Sequence, residues 1–306
     1  MRKFYSHGKL LITGEYAVLN GAKALALPTR YGQEMKVENT NETEISWTSL
    51  DEKNNIWFKS SFILKNDNFI LKEENNKSSA TASRLAQVLN VAKTLTPEFF
   101  SKNQGFRITT KLEFNREWGL GSSSTLINNI ATWLNIDAYQ LLKDTFGGSG
   151  YDIAAAQQDS AFTYQLINGE TSVLKCHFEP GFKEQLFFVY LNQKQNSREA
   201  IAHYRNQPQE NIDVLTNKIS GLTEQFLHCG SLAEFQILMD IHETLVSKAV
   251  NLPKIKTRLF PDFSGSIKSL GGWGGDFILV TGNEEDQQYF RDKNYNTIIP
   301  FSNMIL

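Results

Sequence analysis

A glycine and serine segment at residues 119–124 constrains this chain of 306 residues more than any other feature. The segment reads Gly-Leu-Gly-Ser-Ser-Ser and follows an alternating apolar stretch, residues 106–114, which predicts a half-solvated strand. After it, apolar residues recur at helical spacing, which predicts an amphipathic helix. Strand, glycine turn and helix start together predict a phosphate site, because glycine lets the backbone approach an anion and the first N–H groups of a helix donate to it.

The residues predicted to hold the phosphates are Gly119, Leu120, Gly121, Ser122, Ser123 and Ser124. A glycine turn in which a serine caps the helix stays open as the alternative. Two other phosphate motifs are excluded by pattern. The chain has no GxxxxGK[ST] segment, and Ser124 stands where a dinucleotide fingerprint needs its third glycine.

A second turn of small residues delivers one carboxylate. Residues 147–150 read Gly-Gly-Ser-Gly, and Asp152 follows them at the start of a helix-forming stretch. A carboxylate in the first turn of a helix is kept ionised by the helix dipole. Together with residues 119–124, Asp152 predicts phosphoryl transfer, and a helix-capping aspartate without chemistry is the alternative.

A third glycine cluster, residues 271–275, reads Gly-Gly-Trp-Gly-Gly and leads into an apolar strand at residues 277–280. So many glycines at a strand entry favour close approach of a backbone or a ligand, with a plain hairpin turn as the alternative. Near the N-terminus, Lys9 is predicted to open a strand at residues 9–13, and Glu15 follows the turn after it. A lysine in this place can pair with a carboxylate in a cleft.

Composition limits the partners of the chain. Its 31 Lys and Arg nearly balance its 33 Asp and Glu, giving a net charge of −2 without any block of like charge, which argues against a nucleic-acid partner. No apolar run approaches the ~20 residues that a membrane-spanning helix needs, and the N-terminus lacks a signal-peptide core. We therefore expect a soluble cytoplasmic protein without a membrane partner. Cys176 and Cys229 share no pairing motif, so we expect neither a disulfide nor a zinc site.

The pattern of elements predicts an α+β fold with two lobes. Strand signals dominate residues 33–72, helical spacing covers residues 79–95 and 210–250, and Pro28 is expected to end a strand at residues 24–27. Turn residues at 168–169 and 180–181 place the lobe boundary between them. The predicted lobes are residues 1–175 and 176–306.

With its glycine segments in this order, the chain resembles the GHMP kinases. Residues 8–19 are similar to the first motif of that superfamily, residues 119–124 to the second and residues 271–275 to the third, while residues 150–154 resemble the signature of a bacterial subgroup, the GYDIA family. The resemblance implies an N-terminal, ATP-binding lobe like ribosomal protein S5 domain 2, a ferredoxin-like C-terminal lobe, and ATP and Mg²⁺ as cofactors.

The resemblance also assigns roles. It implies that Asp152 is the base that receives the alcohol proton, that Lys9 pairs with it, and that Ser123 is a ligand of Mg²⁺. Contacts with the substrate are expected from Glu15, Tyr16, Gly271, Gly272, Gly274 and Gly275.

Three positions depart from the motifs. Leu141 stands where mevalonate kinases carry an acidic Mg²⁺ ligand, with Asp144 as a substitute, Trp273 interrupts the third motif, and His7 replaces a proline.

The expected activity is ATP-dependent phosphorylation of a small-molecule alcohol, with mevalonate as the acceptor. Tyr16 is also similar to phosphomevalonate kinases, in which the acceptor is a phosphate. Two further hypotheses stay open: a nucleotide-binding regulator with weak or no turnover, and a structural two-lobe protein with incidental glycine turns. The oligomeric state, a homodimer included, is left open.

Overall fold

The computed structural model describes residues 1–72, 80–100, 104–208 and 211–306. Within these ranges the strands are β1 Arg2–Leu11, β2 Ala24–Thr40, β3 Glu44–Leu50, β4 Ile56–Lys65, β5 Asn68–Leu71, β6 Gly105–Leu112, β7 Phe162–Ile167, β8 Glu170–Lys175, β9 Leu186–Tyr190, β10 Ile267–Ser269, β11 Phe277–Thr281 and β12 Ile298–Pro300. The helices are α1 Ala80–Leu95, α2 Ser122–Leu134, α3 Ala138–Thr145, α4 Tyr151–Gln157, α5 Ser197–Arg205, α6 Ile212–His228, α7 Leu232–Val250, α8 Ile255–Leu259, α9 Glu284–Asp292 and α10 Phe301–Met304. The predicted α+β class is confirmed.

Two compact units, each assembled from separate segments, divide the chain. The first comprises Met1–Gly8, Tyr31–Arg116 and Gly121–Gln157, and the second comprises Lys9–Arg30, Glu117–Leu120 and Gln158–Leu306. These units interleave along the chain, and the predicted lobes 1–175 and 176–306 stay a prediction.

The first unit is a sheet covered by helices. Its strand order is β5-β4-β3-β6-β2, in which β3 and β6 run parallel and the other neighbours antiparallel. Apolar faces of α1, α2 and α3 pack on this sheet, and the ring of Trp133 from α2 meets the ring of Phe106 from β6 with centroids 5.1 Å apart. Burial of these faces is what holds the helices against the sheet.

Strand β6 is regular where its sequence suggested a slip. Thr110 interrupts the apolar alternation, yet it points inward and is buried, and its hydroxyl donates to Ser49 Oγ at 2.9 Å. A satisfied hydroxyl can occupy a core position at little cost. Inward and outward side chains therefore alternate regularly along β6, as in an uninterrupted strand.

Buried amides fix helix α2 within the first unit. Asn129 accepts from the Ser6 hydroxyl of β1 and donates to the Gln33 carbonyl of β2, each at 2.9 Å. Beside it, Asn128 donates to Ser6 Oγ at 2.9 Å and accepts from Gln157 Nε2 of α4 at 2.9 Å. One pair of asparagines thus joins α2 to two strands and to α4.

The second unit contains a four-stranded antiparallel sheet with the order β10-β11-β9-β12. In sequence the order is β9, helices α5 to α8, β10, β11, α9 and β12, which is the β-α-β-β-α-β succession of ferredoxin-like folds. Its core is aromatic, with Phe260 and Phe290 packed at 5.0 Å between ring centroids. The residues of β2 at 24–26 also lie in this unit and pair with β7.

Asn168 and Gly169 form the two-residue turn of the β7–β8 hairpin, and both have positive φ, 53° and 84°. This geometry is the one that Asn-Gly favours. The turn used as a boundary signal thus lies inside a hairpin.

Two predictions about strands were wrong. Lys9 does not open the first strand, because β1 begins at Arg2 and ends at Leu11. Pro28 does not end a strand either, since β2 continues through it to Thr40. The pairing of β2 with β7 stops at residue 26 and that with β6 begins at residue 33, so the proline lies between the two registers, where its carbonyl accepts from the Leu306 N–H at 3.2 Å.

Replacing Asn129 by alanine should lower the free energy of unfolding by about 2 to 3 kcal/mol, because the buried Ser6 hydroxyl and Gln33 carbonyl each lose a partner. Denaturant titration monitored by circular dichroism measures this loss. The exposed Asn303→Ala is the control and should stay within about 0.5 kcal/mol of the parent. An Asn129→Ala protein as stable as the control would remove the buried amides from the account of α2.

Candidate active site

Helix α2 presents an N-terminus without a side-chain cap from its N-cap residue. That residue is Gly121, whose backbone is left-handed, with φ 90° and ψ 42°. The first N–H groups of a helix have no acceptor within it and carry the positive end of its dipole. Such a helix start suits an anion.

The three serines of the segment differ in exposure. Ser124 is buried and its hydroxyl donates to the Gly121 carbonyl at 2.9 Å, whereas Ser122 is partly exposed and Ser123 is exposed. Ser124 is thus engaged within its own turn, and Ser123 is the most exposed of the three serines. The predicted ligand role of Ser123 stays a prediction that this placement allows.

Asp152 lies in the first turn of α4, as predicted, and is partly buried. Helix α4 packs against α2 in the first unit, and the Gln157–Asn128 hydrogen bond joins them. Burial, together with the carboxylates of Asp137 and Asp152, raises the pKa of the Tyr139 phenol to about 12. The serine segment and the predicted base are thus carried by two helices in direct contact.

The turn before Asp152 is open. Gly147 and Gly148 have φ of 69° and 109°, and a side chain placed on either would meet no atom within 4 Å. These glycines are therefore required by their backbone conformation rather than by crowding. Space beside the turn is left for a ligand.

Metal ligands are few in this unit. Leu141 is fully buried in the core, so the vacant acidic position has been taken over by packing. Asp144 is exposed and accepts from Gln140 Nε2 at 2.6 Å. Across the described ranges no group of three or more His, Cys, Asp or Glu side chains could hold a metal ion. At the helix start, hydroxyl oxygens are offered by Ser123, which is exposed, and by Ser122, which is partly exposed.

Within the second unit, a backbone hydrogen bond joins the first motif, residues 8–19, to the second motif, residues 119–124. The Lys9 N–H near the end of β1 donates to the Leu120 carbonyl at 3.0 Å. Gly119 faces a carboxylate: a Cβ placed on it would lie 2.5 Å from Asp276 Cγ. Asp276 follows the third motif, residues 271–275, so this contact joins the second motif to the end of the third.

The glycines at 271–275 pack on the chain after β9. A Cβ on Gly272 would lie 2.4 Å from Gln195 Cβ, and one on Gly275 would lie 2.6 Å from the Gln193 carbonyl oxygen. Gly271 and Gly274 have positive φ, 68° and 97°. Close approach of a backbone or a ligand to these glycines was predicted, and here the protein's own residues Gln193 and Gln195 make that approach. Contacts of Gly271, Gly272, Gly274 and Gly275 with a substrate stay a prediction.

Glu15 lies in a buried cluster of charged groups. Its Oε1 accepts from Lys268 Nζ, its Oε2 is 3.3 Å from His242 Nε2, and Lys268 Nζ is 4.0 Å from Glu243 Oε1. Burial raises the pKa of Glu15 although Lys268 opposes this, and burial with Lys268 lowers the pKa of His242 well below its usual value. Since His242 Nε2 accepts from the Gly14 N–H at 3.1 Å, the imidazole is neutral.

Glu243 is the group of this cluster that titrates near neutrality. Burial, reinforced by Glu15 and opposed by Lys268, raises its pKa to about 8. Its carboxylate also faces Ser269, whose N–H donates to Oε1 at 3.0 Å. With Glu15 buried in this cluster, its predicted contact with substrate stays a prediction.

Tyr16 holds an uncommon backbone conformation for a bulky residue, φ 60° and ψ −47°. Its hydroxyl accepts from the Trp273 N–H at 2.8 Å, and its ring lies 5.4 Å from the ring of Tyr204. The Trp273 indole donates in turn to the Pro253 carbonyl at 3.1 Å. Trp273, which interrupts the third motif, is thus hydrogen-bonded to Tyr16 of the first motif. A substrate contact of Tyr16 stays a prediction.

The sequence interpretation missed Lys268, Asp276 and the asparagines 128 and 129. Lys268 carried one signal, a charged residue next to an apolar strand entry. Asp276 carried another, an acidic residue between four glycines and four apolar residues. Neither signal names a partner, because the partners lie far away in sequence.

Comparison with known proteins relates the chain to mevalonate kinases. No family model matches the chain. The mevalonate kinase of Methanocaldococcus jannaschii is 23% identical over 295 residues, covering 92% of this chain and 91% of the relative.

Solved structures agree in fold. The crystal structure of the Methanococcus jannaschii mevalonate kinase has a TM-score of 0.70 at 19% identity, with 97% of this chain and 96% of that chain covered. The Streptococcus pneumoniae phosphomevalonate kinase in complex with phosphomevalonate and AMPPNP has a TM-score of 0.67 at 16% identity, with 96% of each chain covered. The chain is similar in fold to mevalonate and phosphomevalonate kinases, as the resemblance to the GHMP kinases predicted. Its placement in the GYDIA subgroup stays a prediction. None of the helices within the described residues is long and apolar enough to span a membrane.

Replacing Glu243 by glutamine should flatten the pH dependence of stability. The pKa of Glu243 is about 8 in the fold and near 4.5 in its usual range, so between these values the folded chain binds more protons than the unfolded chain and loses stability as the pH rises. Glutamine mimics the protonated acid and removes this loss. Melting temperatures between pH 6.5 and 8.5 measure it, with Glu170→Gln, at an exposed position, as the control. Equal slopes in parent and Glu243→Gln would contradict the assignment.

Proposed function

We propose that this chain is an ATP-dependent small-molecule kinase that transfers the γ-phosphoryl group to the hydroxyl of mevalonate. The single observation that carries the proposal is the packing of α2 on α4. The first of these helices begins at the serine segment, and the second has Asp152 in its first turn. A helix start suited to phosphate and a carboxylate within one unit are two of the parts that phosphoryl transfer to an alcohol uses.

The phosphates are proposed to bind at the N-terminus of α2. Backbone N–H groups of Ser122 and its neighbours donate to them, and the dipole of a 13-residue helix offsets their charge. No side-chain movement is needed to uncover these donors, because the N-cap residue is a glycine. Catalysis in this class depends mainly on such positioning and charge neutralisation.

Asp152 is proposed to accept the proton of the attacking hydroxyl. Its place in the first turn of α4 favours the ionised form, which a base must have. Lys9 is proposed as the second catalytic residue, on the resemblance of its motif. These assignments are supported by placement and by similarity to the mevalonate kinases.

Magnesium is proposed to arrive as the MgATP complex. No group of three or more His, Cys, Asp or Glu side chains in the described residues could hold a metal ion, but Mg²⁺ is commonly held by substrate phosphates with only one or two protein ligands. Ser123 is the protein ligand that the helix start offers. In the complex, Mg²⁺ would neutralise charge on the phosphates.

The choice of acceptor decides what Asp152 must do. Mevalonate presents a neutral hydroxyl that needs a base, whereas phosphomevalonate presents a phosphate that is already an anion. Similarity to both kinds of kinase supports either acceptor. A second candidate function, a nucleotide-binding regulator, is favoured by one observation: Leu141 is buried where the acidic ligand of mevalonate kinases would stand.

Release of ADP, measured by a coupled assay with mevalonate, phosphomevalonate and homoserine in turn, tests the proposal. Turnover with mevalonate supports it, and turnover with phosphomevalonate alone replaces it by the phosphomevalonate alternative. Binding of MgATP without turnover on any acceptor favours the regulator. MgATP at 100 times its dissociation constant should stabilise the fold by ~2.7 kcal/mol, and no thermal shift at all would contradict both nucleotide functions.

Asp152→Asn should lower kcat about 10²-fold or more while leaving the affinity for MgATP nearly unchanged, because a neutral amide cannot accept the proton. Steady-state kinetics and isothermal titration measure the two effects. Asp159→Asn, on an exposed carboxylate, is the matched control and should keep parental values. An Asp152→Asn enzyme with parental kcat would remove Asp152 from the mechanism.

A further inference from the structure

Asp276 is a buried carboxylate that no step of the proposed reaction uses. It stands between the third glycine segment and β11, is 5% exposed, and has a left-handed backbone with φ 53°. Its main chain is anchored on both sides: its N–H donates to the Gln193 carbonyl at 2.7 Å, and its carbonyl accepts from the Leu191 N–H at 2.9 Å. The position of its side chain is therefore set by the chain after β9.

Hydrogen-bond donors surround the carboxylate. Oδ1 accepts from the Gln195 N–H at 3.1 Å and Oδ2 from the Gly272 N–H at 3.5 Å. A Cβ placed on Gly271 would lie 3.1 Å from Oδ2. The third glycine segment is thus folded around an anion, and that anion belongs to the protein.

The same carboxylate contacts Gly119, in the glycine and serine segment at residues 119–124. A Cβ placed on Gly119 would lie 2.5 Å from Asp276 Cγ and 2.6 Å from each carboxylate oxygen, which is closer than real carbon atoms approach. Next to this contact, the ring of Trp118 meets the ring of Phe277 edge to face, with centroids 5.5 Å apart. Residues 118–119 are therefore seated on residues 276–277.

Two lysines offset part of the effect of burial on Asp276. Burial raises the pKa of its carboxyl, and the positive charges of Lys9 and Lys194 oppose this rise. Lys194 Nζ also lies 3.8 Å from Glu117 Oε1, and Glu117 precedes the segment at residues 119–124. Donor N–H groups and ammonium groups around a carboxylate favour an internal anion over a ligand for a divalent cation, which would be repelled by the same groups.

We propose that Asp276 is a positioning residue that holds Gly119, and so sets the path of the chain that enters the proposed phosphate site. Gly119 and Leu120 lead directly into Gly121 and the start of α2, and the Lys9 N–H binds the Leu120 carbonyl. Fixing residue 119 restrains that backbone. This inference rests on the proposed function, since it assigns Asp276 to the nucleotide end of that reaction.

Removal of the carboxylate by Asp276→Gly should raise the KM and the dissociation constant for MgATP about tenfold or more, the loss expected for a hydrogen-bonded charge. The KM for the acceptor should change by less than about threefold, a split that general destabilisation would not give. Asp276→Asn keeps the size of the side chain and an acceptor for Gln195, and should recover MgATP affinity to within about threefold of the parent.

A double-mutant cycle tests the contact itself. Gly119→Ala alone should weaken MgATP binding about tenfold or more, because its Cβ meets the carboxylate. Asp276→Gly vacates that space and leaves only the strain of an alanine at φ 67°, so adding Gly119→Ala to Asp276→Gly should weaken MgATP binding by a clearly smaller factor than adding it to the parent. The matched control is Asp67→Gly, an exposed aspartate with φ 63° in the turn between β4 and β5, which should bind MgATP as the parent does.

Melting temperatures of the nucleotide-free variants, measured alongside, separate unfolding from loss of binding. A parent chain that does not bind MgATP overturns the proposed function and with it this role of Asp276. A parent that binds MgATP overturns the inference alone if Asp276→Gly binds it equally well. The inference is also overturned if the losses of Gly119→Ala and Asp276→Gly multiply in the double variant.

Discussion

The buried amides of Asn128 and Asn129 are the interaction on which the candidate site depends. They hold α2 to β1, β2 and α4 through hydrogen bonds at 2.9 Å. Buried polar groups are costly unless they are satisfied, and a fully satisfied set admits one arrangement of its elements. That arrangement places the helix that begins at the serine segment against the helix that has Asp152 in its first turn. Neither the glycine turn nor the carboxylate would define a site without it.

In the second unit, charged and polar side chains near the motifs bind other groups of the protein. Glu15 binds Lys268, the Tyr16 hydroxyl binds the Trp273 N–H, and Asp276 fills the third glycine segment. Each of these contacts uses a residue in or beside a glycine-containing motif for an internal bond. The glycine-rich character of these segments follows, because backbones and short side chains must approach closely where such bonds form. The roles proposed for this unit are therefore roles of position, with Lys9 as the residue proposed to act in the reaction.

Much of the fold near the site could be predicted from local pattern. The strand, glycine turn and helix at residues 105–134 follow from alternation, glycine and helical spacing, all of which are signals within one short window. Asp152 was placed in the first turn of a helix for the same reason. Strand β1 was predicted too short, because residues 2–7 are mostly polar in sequence, which is not typical of a buried strand. Pro28 misled because a strand can pass through a proline between two registers.

What pattern could not supply were the partners of buried polar groups. Lys268 and Glu15 are 253 residues apart, and nothing near either residue indicates the other. Gly119 was predicted as a site residue and Asp276 was not, because the contact between them depends on how the chain after β9 is folded. Long-range polar contacts of this kind arise from tertiary packing, for which a single sequence carries no local signal.

A crystal structure with a non-hydrolysable ATP analogue and Mg²⁺ tests the central claim most directly. The account predicts the triphosphate at the N-terminus of α2, with the N–H groups of residues 122–124 within hydrogen-bond distance of phosphate oxygens and the Asp276 carboxylate still against Gly119. A triphosphate bound away from the start of α2 would contradict it.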